Sequence, residues 1–164
     1  MKIEVISPND KILDFDCKNE SINKYLKEDA LKDAMAFLSK TYVLKEDNTN
    51  KVIGFFTLIS SKVNRNEGTF IISREYKYSI PAILLGQLGI DKNYQGQGIG
   101  SDLLAYAIRT SLEITLKIGF TAIIIEADST SLIPFYQKQG FSCFQQREKK
   151  LYISITEMLK NKVA

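Results

Sequence analysis

The sequence predicts an α+β fold in which an antiparallel meander is joined to one parallel pair of strands. Two observations predict it: β-branched and aromatic segments alternate with polar turns before residue 64, and an apolar strand–helix–strand unit spans residues 82–127. A length of 164 residues provides for one substantial core. We therefore expect a single domain over residues 1–164.

The first half begins with a short strand at residues 2–6. Apolar side chains in residues 21–37 have approximately helical spacing, with a break expected near Glu28 and Asp29. Residues 41–45 and 52–60 have strand composition, and the polar segment between them contains Asn48 and Asn50. This pattern predicts a β-hairpin.

The second half contains the parallel unit. Residues 82–90 form an almost continuous apolar run, and residues 121–127 form another with three consecutive isoleucines, which is typical of strands buried on both faces. Between them, an apolar stripe from Ile99 to Leu116 predicts a helix of about five turns that stops before Gly119. We expect the resulting βαβ unit to be right-handed. A short helix at 132–139 and two strands near 141–144 and 150–156 complete the prediction.

Composition restricts the chemistry. The chain has no histidine, so a Ser-His-Asp triad, a Cys-His pair and a histidine-based zinc site are excluded. Its two cysteines, Cys17 and Cys143, do not indicate a disulfide framework, and neither is favoured as a nucleophile. Without a signal peptide or an apolar run of membrane-spanning length, a cytoplasmic location without a membrane or metal partner is expected.

The end of the chain is basic. Between Gln145 and Ala164 there are five cations against two acids, a local balance of +3 that equals the net charge of the whole chain. A solvated face is the favoured interpretation of this cluster, and a phosphate-binding face is the alternative.

A glycine-rich turn lies between the first parallel strand and its helix. Gly96, Gly98 and Gly100 alternate there, and glycine permits positive φ angles and close approach of the backbone to a ligand. The first amides of a helix lack intrahelical partners and lie at the positive end of its dipole, so a diphosphate fits without cationic side chains. The alternative is a tight turn that binds nothing.

The sequence Gln95-Gly96-Gln97-Gly98-Ile99-Gly100 resembles the Q/R-x-x-G-x-G/A signature of the GNAT N-acetyltransferases. Leu88-Gly89-Ile90-Asp91 is similar to the end of that family's fourth strand, where a bulge binds pantetheine, and residues 134–141 resemble its FYxxxGF segment. The resemblance implies a GNAT-like mixed sheet around a cleft for acetyl-CoA, with coenzyme A as product. The cofactor-binding residues that it implies are Leu88, Gly89, Ile90, Gln95, Gly96, Gln97, Gly98, Ile99, Gly100 and Ser129.

A narrower resemblance involves Phe15-Asp16-Cys17 and the strand segment 80–88, which are similar to motifs of the acetyltransferase toxins of bacterial toxin–antitoxin pairs. It implies acetylation of the α-amino group of aminoacyl-tRNA, a small DNA-binding antitoxin as partner, and a homodimer. Gln87 stands where those toxins usually carry arginine, and Lys18 where many carry glycine. These departures weaken the case for tRNA as the acceptor.

The resemblance also implies two catalytic roles. Tyr136 is expected to donate a proton or hydrogen bond to the leaving thiolate, and the alternative is that its ring only packs. Glu126 is the candidate base, and a surface carboxylate is an equally weighted alternative. An α-amino group with a pKa of about 8 needs less help from a base than a lysine amine near about 10.4, so the absence of histidine favours an α-amine acceptor.

Two other functions stay open. The first is acetylation of a small-molecule or protein amine, which Gln87 and the mild net charge favour. The second is a non-catalytic module that binds coenzyme A or a protein, against which the intact Gly98, Gly100 and Tyr136 argue.

Overall fold

The computed structural model describes residues 1–72 and 74–163 and contains one mixed sheet. Its strand order is β1-β2-β3-β4-β5-β7-β6. The strands are β1 Lys2–Val5, β2 Lys40–Lys45, β3 Val52–Val63, β4 Ile80–Ile90, β5 Ala122–Glu126, β6 Ser142–Phe144 and β7 Arg147–Ser154. β4 and β5 are parallel, whereas β1–β2, β2–β3, β5–β7 and β6–β7 are antiparallel. The predicted α+β class, with a meander and one parallel pair, is therefore confirmed.

Five α-helices belong to the described part of the chain. They are α1 Glu20–Lys24, α2 Ala30–Met35, α3 Ile99–Thr115, α4 Ile133–Lys138 and α5 Ile155–Val163. None of these helices is both long enough and apolar enough to cross a bilayer.

The chain divides into two compact units. The first comprises Met1–Ile59 and Gly86–Ala107, and the second comprises Ser60–Leu85 and Ile108–Ala164. The first unit has a core that includes Phe15, Leu26 and Phe55. The second has a core that includes Val63, Ile80 and Ile124. That residues 1–164 form a single domain stays a prediction.

The expected break in the first helical region is present. α1 is followed by a π-helical segment at Tyr25–Asp29, after which α2 resumes α-helical geometry. Asn19 caps α1, because its side-chain oxygen accepts a hydrogen bond from the Ile22 amide. Leu26 and Ala30 both lie in the core, where they are 1% and 0% exposed.

The apolar stripe of the long helix is confirmed only in part. Leu103, Leu104, Ala107 and Leu112 are buried. Leu116 was expected on the same stripe but is 86% exposed. The physical reason is that α3 ends at Thr115, so Leu116 lies in the turn that follows and has left the helical face.

The C-terminal prediction was wrong in one respect. A final strand was expected over residues 150–156, but β7 ends at Ser154 and α5 begins at Ile155. Ser154 Oγ accepts from the Glu157 amide at 3.2 Å, and a Glu157 oxygen accepts from the Ser154 amide at 3.1 Å. This capping box starts the helix against the β propensity of Ile155 and Thr156. Ala164, the end of the predicted basic segment, lies outside the described residues.

Candidate active site

The glycine-rich turn has the backbone geometry expected of a phosphate cradle. Gly96 has φ +74° and Gly98 has φ +82°, values that disfavour any residue with a Cβ. A Cβ built at either position would have no heavy atom within 4 Å, so the backbone faces open space. Gly100 differs, because it is already helical as the second residue of α3.

α3 begins directly after this turn. The Asp102 amide donates to the Gly98 carbonyl at 3.1 Å, which closes the first helical turn. By helix geometry, the amides of residues 99–101 have no carbonyl partner within the helix. With 17 residues behind them, these amides lie at the positive end of a substantial helix dipole. The turn therefore presents donors and positive potential to an anion without any cationic side chain.

The Phe15-Asp16-Cys17 motif lies against the segment that follows β4. The Asp16 carbonyl accepts from the Lys92 amide at 2.7 Å, and the Asp16 amide donates to the Asp91 carboxylate at 3.1 Å. Lys92 Nζ lies 2.9 Å from the Asp16 carboxylate. Hydrogen bonds from Lys92, the Lys18 amide and Asn23 hold the pKa of Asp16 well below its usual range.

Gln95 holds the turn by its side chain. Its amide nitrogen donates to the carbonyl oxygen of Cys17 at 3.1 Å and to that of Ile90 at 2.9 Å. The neighbouring Gln97 makes only a local contact, to the Asn93 carbonyl at 3.4 Å. Gln95 is thus the residue of the signature that links three segments: the N-terminal motif, the end of β4 and the glycine-rich turn.

Leu88, Gly89 and Ile90 are the last three residues of β4. Gly89 is buried, and a Cβ there would lie 3.0 Å from Ile22 and 3.2 Å from the Phe55 ring. Glycine at this position therefore allows the first helix and the core aromatics to pack tightly against the strand.

In the second unit, Glu126 is the last residue of β5 and is exposed. It faces an open cavity of about 750 Å³ whose lining also includes Asp128, Ser129, Arg147 and Lys150. The Ser129 hydroxyl lies 2.7 Å from that of Ser131. Glu126 is therefore accessible from solvent, in a setting where acidic and basic side chains are mixed.

Tyr136 is on α4 and is 7% exposed. Its ring packs edge-on against Phe135 at 5.1 Å and Phe141 at 6.0 Å between centroids. Burial, with a smaller contribution from the negative charge of Asp128, raises the pKa of Tyr136 to about 12. The phenol therefore stays protonated at neutral pH and can act as a hydrogen-bond donor.

The predicted residues fall into two groups. Leu88–Ile90 and the six residues from Gln95 to Gly100 belong to the first unit, whereas Glu126, Ser129 and Tyr136 belong to the second.

The sequence interpretation missed Asp16 and the side-chain role of Gln95. Asp16 was visible only as part of a motif, and its hydrogen bonds depend on a segment 75 residues away. Among the described residues, no group of three or more acidic or cysteine side chains could hold a metal ion.

The fold and the turn together define an acyltransferase of the coenzyme-A-binding type, and the chain belongs to the GNAT acetyltransferase family. The family model described as the acetyltransferase (GNAT) domain matches residues 38–143. A tRNA-acetylating toxin of Mycobacterium tuberculosis (strain ATCC 25618 / H37Rv) is 31% identical over 131 residues, which cover 80% of this chain and 78% of the relative.

Solved structures agree with this assignment. The toxin AtaT complexed with acetyl-methionyl-tRNAfMet has a TM-score of 0.89 at 25% identity and covers 99% of each chain. A tyrosine-to-phenylalanine mutant of AtaT, bound to the C-terminus of the antitoxin AtaR and acetyl-CoA, has a TM-score of 0.82 at 25% identity, covering 99% of this chain and 98% of that one.

Proposed function

We propose that the chain transfers the acetyl group of acetyl-CoA to the α-amino group of aminoacyl-tRNA. The observation that carries the proposal is the open turn at Gly96 and Gly98, which fits a pyrophosphate, in a chain 31% identical to a tRNA-acetylating toxin. The resemblance of the Phe15-Asp16-Cys17 motif to those toxins supports the same acceptor.

The cofactor would be held mainly by backbone groups. The turn from Gln95 to Gly100 would bind the pyrophosphate through amides and the helix dipole, and the end of β4 at Leu88–Ile90 would bind the pantetheine arm. Ser129 would add a hydroxyl contact. The amide of Ile90 is the candidate donor to the oxygen that gains negative charge during acyl transfer.

Acetyl-CoA supplies the acetyl group as a thioester, and the amine displaces its thiolate. Tyr136 would donate a hydrogen bond to that thiolate. Its pKa of about 12 lies above the about 8.5 of a thiol, so complete proton transfer would be uphill and hydrogen bonding in the transition state is the expected role. The buried ring is held by Phe135 and Phe141, which orients the hydroxyl.

The amine must be neutral before it attacks. An α-amino group has a pKa of about 8, and an aminoacyl ester is more acidic still, so much of the substrate is neutral without a base. Glu126 would accept the remaining proton directly or through water, for which its exposure is suitable. For an α-amine acceptor, proton acceptance by Glu126 would assist the reaction but would not be required.

The experiment uses a matched set of tRNA acceptors. Purified protein is incubated with labelled acetyl-CoA and methionyl-tRNA, formyl-methionyl-tRNA or uncharged tRNA. Label should enter methionyl-tRNA alone, because only that molecule presents a free α-amine. Transfer to a polyamine or lysine peptide, with none to any aminoacyl-tRNA, would refute the proposed acceptor.

We further propose that the chain acts in the cytoplasm, where both substrates occur, as a homodimer controlled by an antitoxin. The AtaT relative bound to the C-terminus of AtaR supports the antitoxin partner, and the homodimer rests on the family resemblance. Expression of the chain in bacteria should arrest growth, and the product of a neighbouring small gene should relieve the arrest. Light scattering should give twice the 18.6 kDa chain mass, and a monomeric mass would refute the dimer.

A further inference from the structure

The connection between β3 and β4, which the structure describes at residues 64–72 and 74–79, is anchored to the sheet by its first half. The Glu67 carboxylate lies 3.5 Å from Arg147 Nη1 and 3.6 Å from Lys150 Nζ on β7. Phe70 packs 4.8 Å from the Tyr152 ring and 5.5 Å from the Phe144 ring. These contacts fix the base of the connection on the sheet.

The second half presents a row of planar groups. The Arg74 guanidinium lies 5.7 Å from the centre of the Tyr76 ring, and the Tyr76 and Tyr78 rings are 5.8 Å apart. The three side chains therefore lie next to one another along this part of the connection. Tyr78 is 70% exposed at the end of the row. We call Arg74, Tyr76 and Tyr78 the aromatic platform.

Two members of the platform, Arg74 and Tyr76, line an open cavity of about 760 Å³. Arg65, Arg74 and Lys77 contribute three positive charges to its lining, against the single negative charge of Glu75. The cavity is therefore positive next to the half-buried Tyr76 ring, which packs edge-on to the exposed Tyr78 ring. That combination suits a ligand that carries both phosphates and flat bases.

The anchor also relates the platform to the candidate base. Arg147 and Lys150, which hold Glu67, line the cavity that contains Glu126. All of these residues belong to one compact unit. The first half of the connection is thus attached to the strand that lines the cavity of Glu126, the residue proposed to accept a proton from the acceptor amine.

We propose that the aromatic platform binds the unpaired 3′-terminal nucleotides of the aminoacyl-tRNA acceptor. Single-stranded RNA is bound by stacking of splayed bases on tyrosine rings and arginine planes, with cations along the backbone. A base stacks on Tyr78, and Arg74 and Arg65 contact the adjoining phosphates. This inference rests on the proposed function, because it assigns a part of its RNA substrate to named side chains.

The test measures steady-state kinetics of Tyr78→Ala and Arg74→Ala with methionyl-tRNA. Loss of one stacking ring should raise KM for methionyl-tRNA about tenfold. KM for acetyl-CoA and the rate with methionine methyl ester, an α-amine without RNA, should stay at wild-type values. Tyr78→Phe keeps the ring and should restore the wild-type KM.

Leu116→Ala and Lys117→Ala are the matched controls, because both residues are exposed and lie in the turn after α3. They remove a large side chain and a positive charge, respectively, from residues outside the platform. The inference would be overturned by an unchanged KM for methionyl-tRNA in Tyr78→Ala, or by an equal rise of that KM in the controls. Acetylation of methionyl-tRNA by the wild-type protein would still support the proposed function in either case.

A binding assay separates the two claims further. Fluorescence anisotropy with a labelled single-stranded oligonucleotide ending in CCA needs no turnover. Wild-type binding that is lost in Tyr78→Ala supports the platform even if no tRNA is acetylated. Equal binding by both proteins overturns it, and so does a Tyr78→Ala defect confined to antitoxin binding.

Discussion

The side-chain nitrogen of Gln95 lies 3.1 Å from the carbonyl oxygen of Cys17, 78 residues earlier in the chain. The same nitrogen donates to the Ile90 carbonyl at 2.9 Å. One amide group therefore fixes the N-terminal motif and the end of β4 to the turn that is expected to hold the pyrophosphate. The glycines provide the shape of that turn, and Gln95 holds it in place.

Gln95→Glu should weaken acetyl-CoA binding about tenfold. The new carboxylate oxygen cannot donate and repels both carbonyls, and two lost hydrogen bonds at an exposed position are worth about 1–2 kcal/mol in total. Isothermal titration with acetyl-CoA measures the change. Gln97→Glu is the control, since it adds the same charge two residues away but breaks only a local contact. Equal losses in both variants would show that charge alone is responsible.

Gly98→Ala should reduce acetyl-CoA affinity more than it reduces stability. The backbone at φ +82° costs a residue with a Cβ roughly 1–2 kcal/mol, and the added methyl group points into the open space where the pyrophosphate is proposed to bind. Titration and thermal unfolding on the same samples separate the two effects. Gly119→Ala is the control, because a Cβ there also meets nothing within 4 Å. An unaltered affinity in Gly98→Ala would place the pyrophosphate elsewhere.

Tyr136→Phe should lower kcat about 100-fold and leave the Kd for acetyl-CoA unchanged, because the hydroxyl is assigned a role only as thiolate donor. The ring packing against Phe135 and Phe141 needs no hydroxyl, so the fold should be retained. Single-turnover kinetics measure the chemical step directly. A variant with wild-type kcat would remove Tyr136 from the mechanism.

The raised pKa of Tyr136 also predicts a pH dependence of stability. The folded-state pKa of about 12 exceeds the ordinary value of 10.0, so the protonated phenol is favoured in the folded protein. The stability associated with this shift is fully present below pH 10 and is lost as pH rises towards 12. Between those values, the wild type should lose more free energy of unfolding than Tyr136→Phe. Parallel curves in denaturant titrations would contradict this.

Ser154→Ala should destabilise the protein by about 1 kcal/mol, since it removes one half of the capping box that begins α5. Urea unfolding measures the loss. Thr156→Ala, in the same helical turn but outside the capping box, should have a smaller effect. Equal free energies of unfolding for the two variants would show that the hydrogen bonds of Ser154 do not stabilise the start of the helix.

Local patterns predicted much of this fold. The hairpin of β2 and β3, the parallel pair β4–β5 and the start of α3 follow from periodicity and turn residues. α5 was missed, although Ser154-Ile155-Thr156-Glu157 is a capping-box sequence, because β-branched residues there continued the pattern of β7. Leu116 was wrongly expected on the buried face of α3, because the spacing of apolar residues does not show where a helix ends.

The candidate site was less accessible to sequence reasoning. The glycines at 96 and 98 could be predicted, because positive φ depends on residue type. The contacts of Gln95 and Asp16 join segments more than 70 residues apart, and the raised pKa of Tyr136 results from tertiary burial. These contacts and this pKa depend on which segments meet in the folded protein, and no short stretch of sequence indicates them.

The most direct test of the proposed function is mass spectrometry of methionyl-tRNA after incubation with the wild-type protein and acetyl-CoA. We predict acetyl-methionyl-tRNA as the product, with much less from Tyr136→Phe and from Gly98→Ala. Unmodified methionyl-tRNA, under conditions in which the same protein sample binds acetyl-CoA, would contradict the proposed transfer to aminoacyl-tRNA.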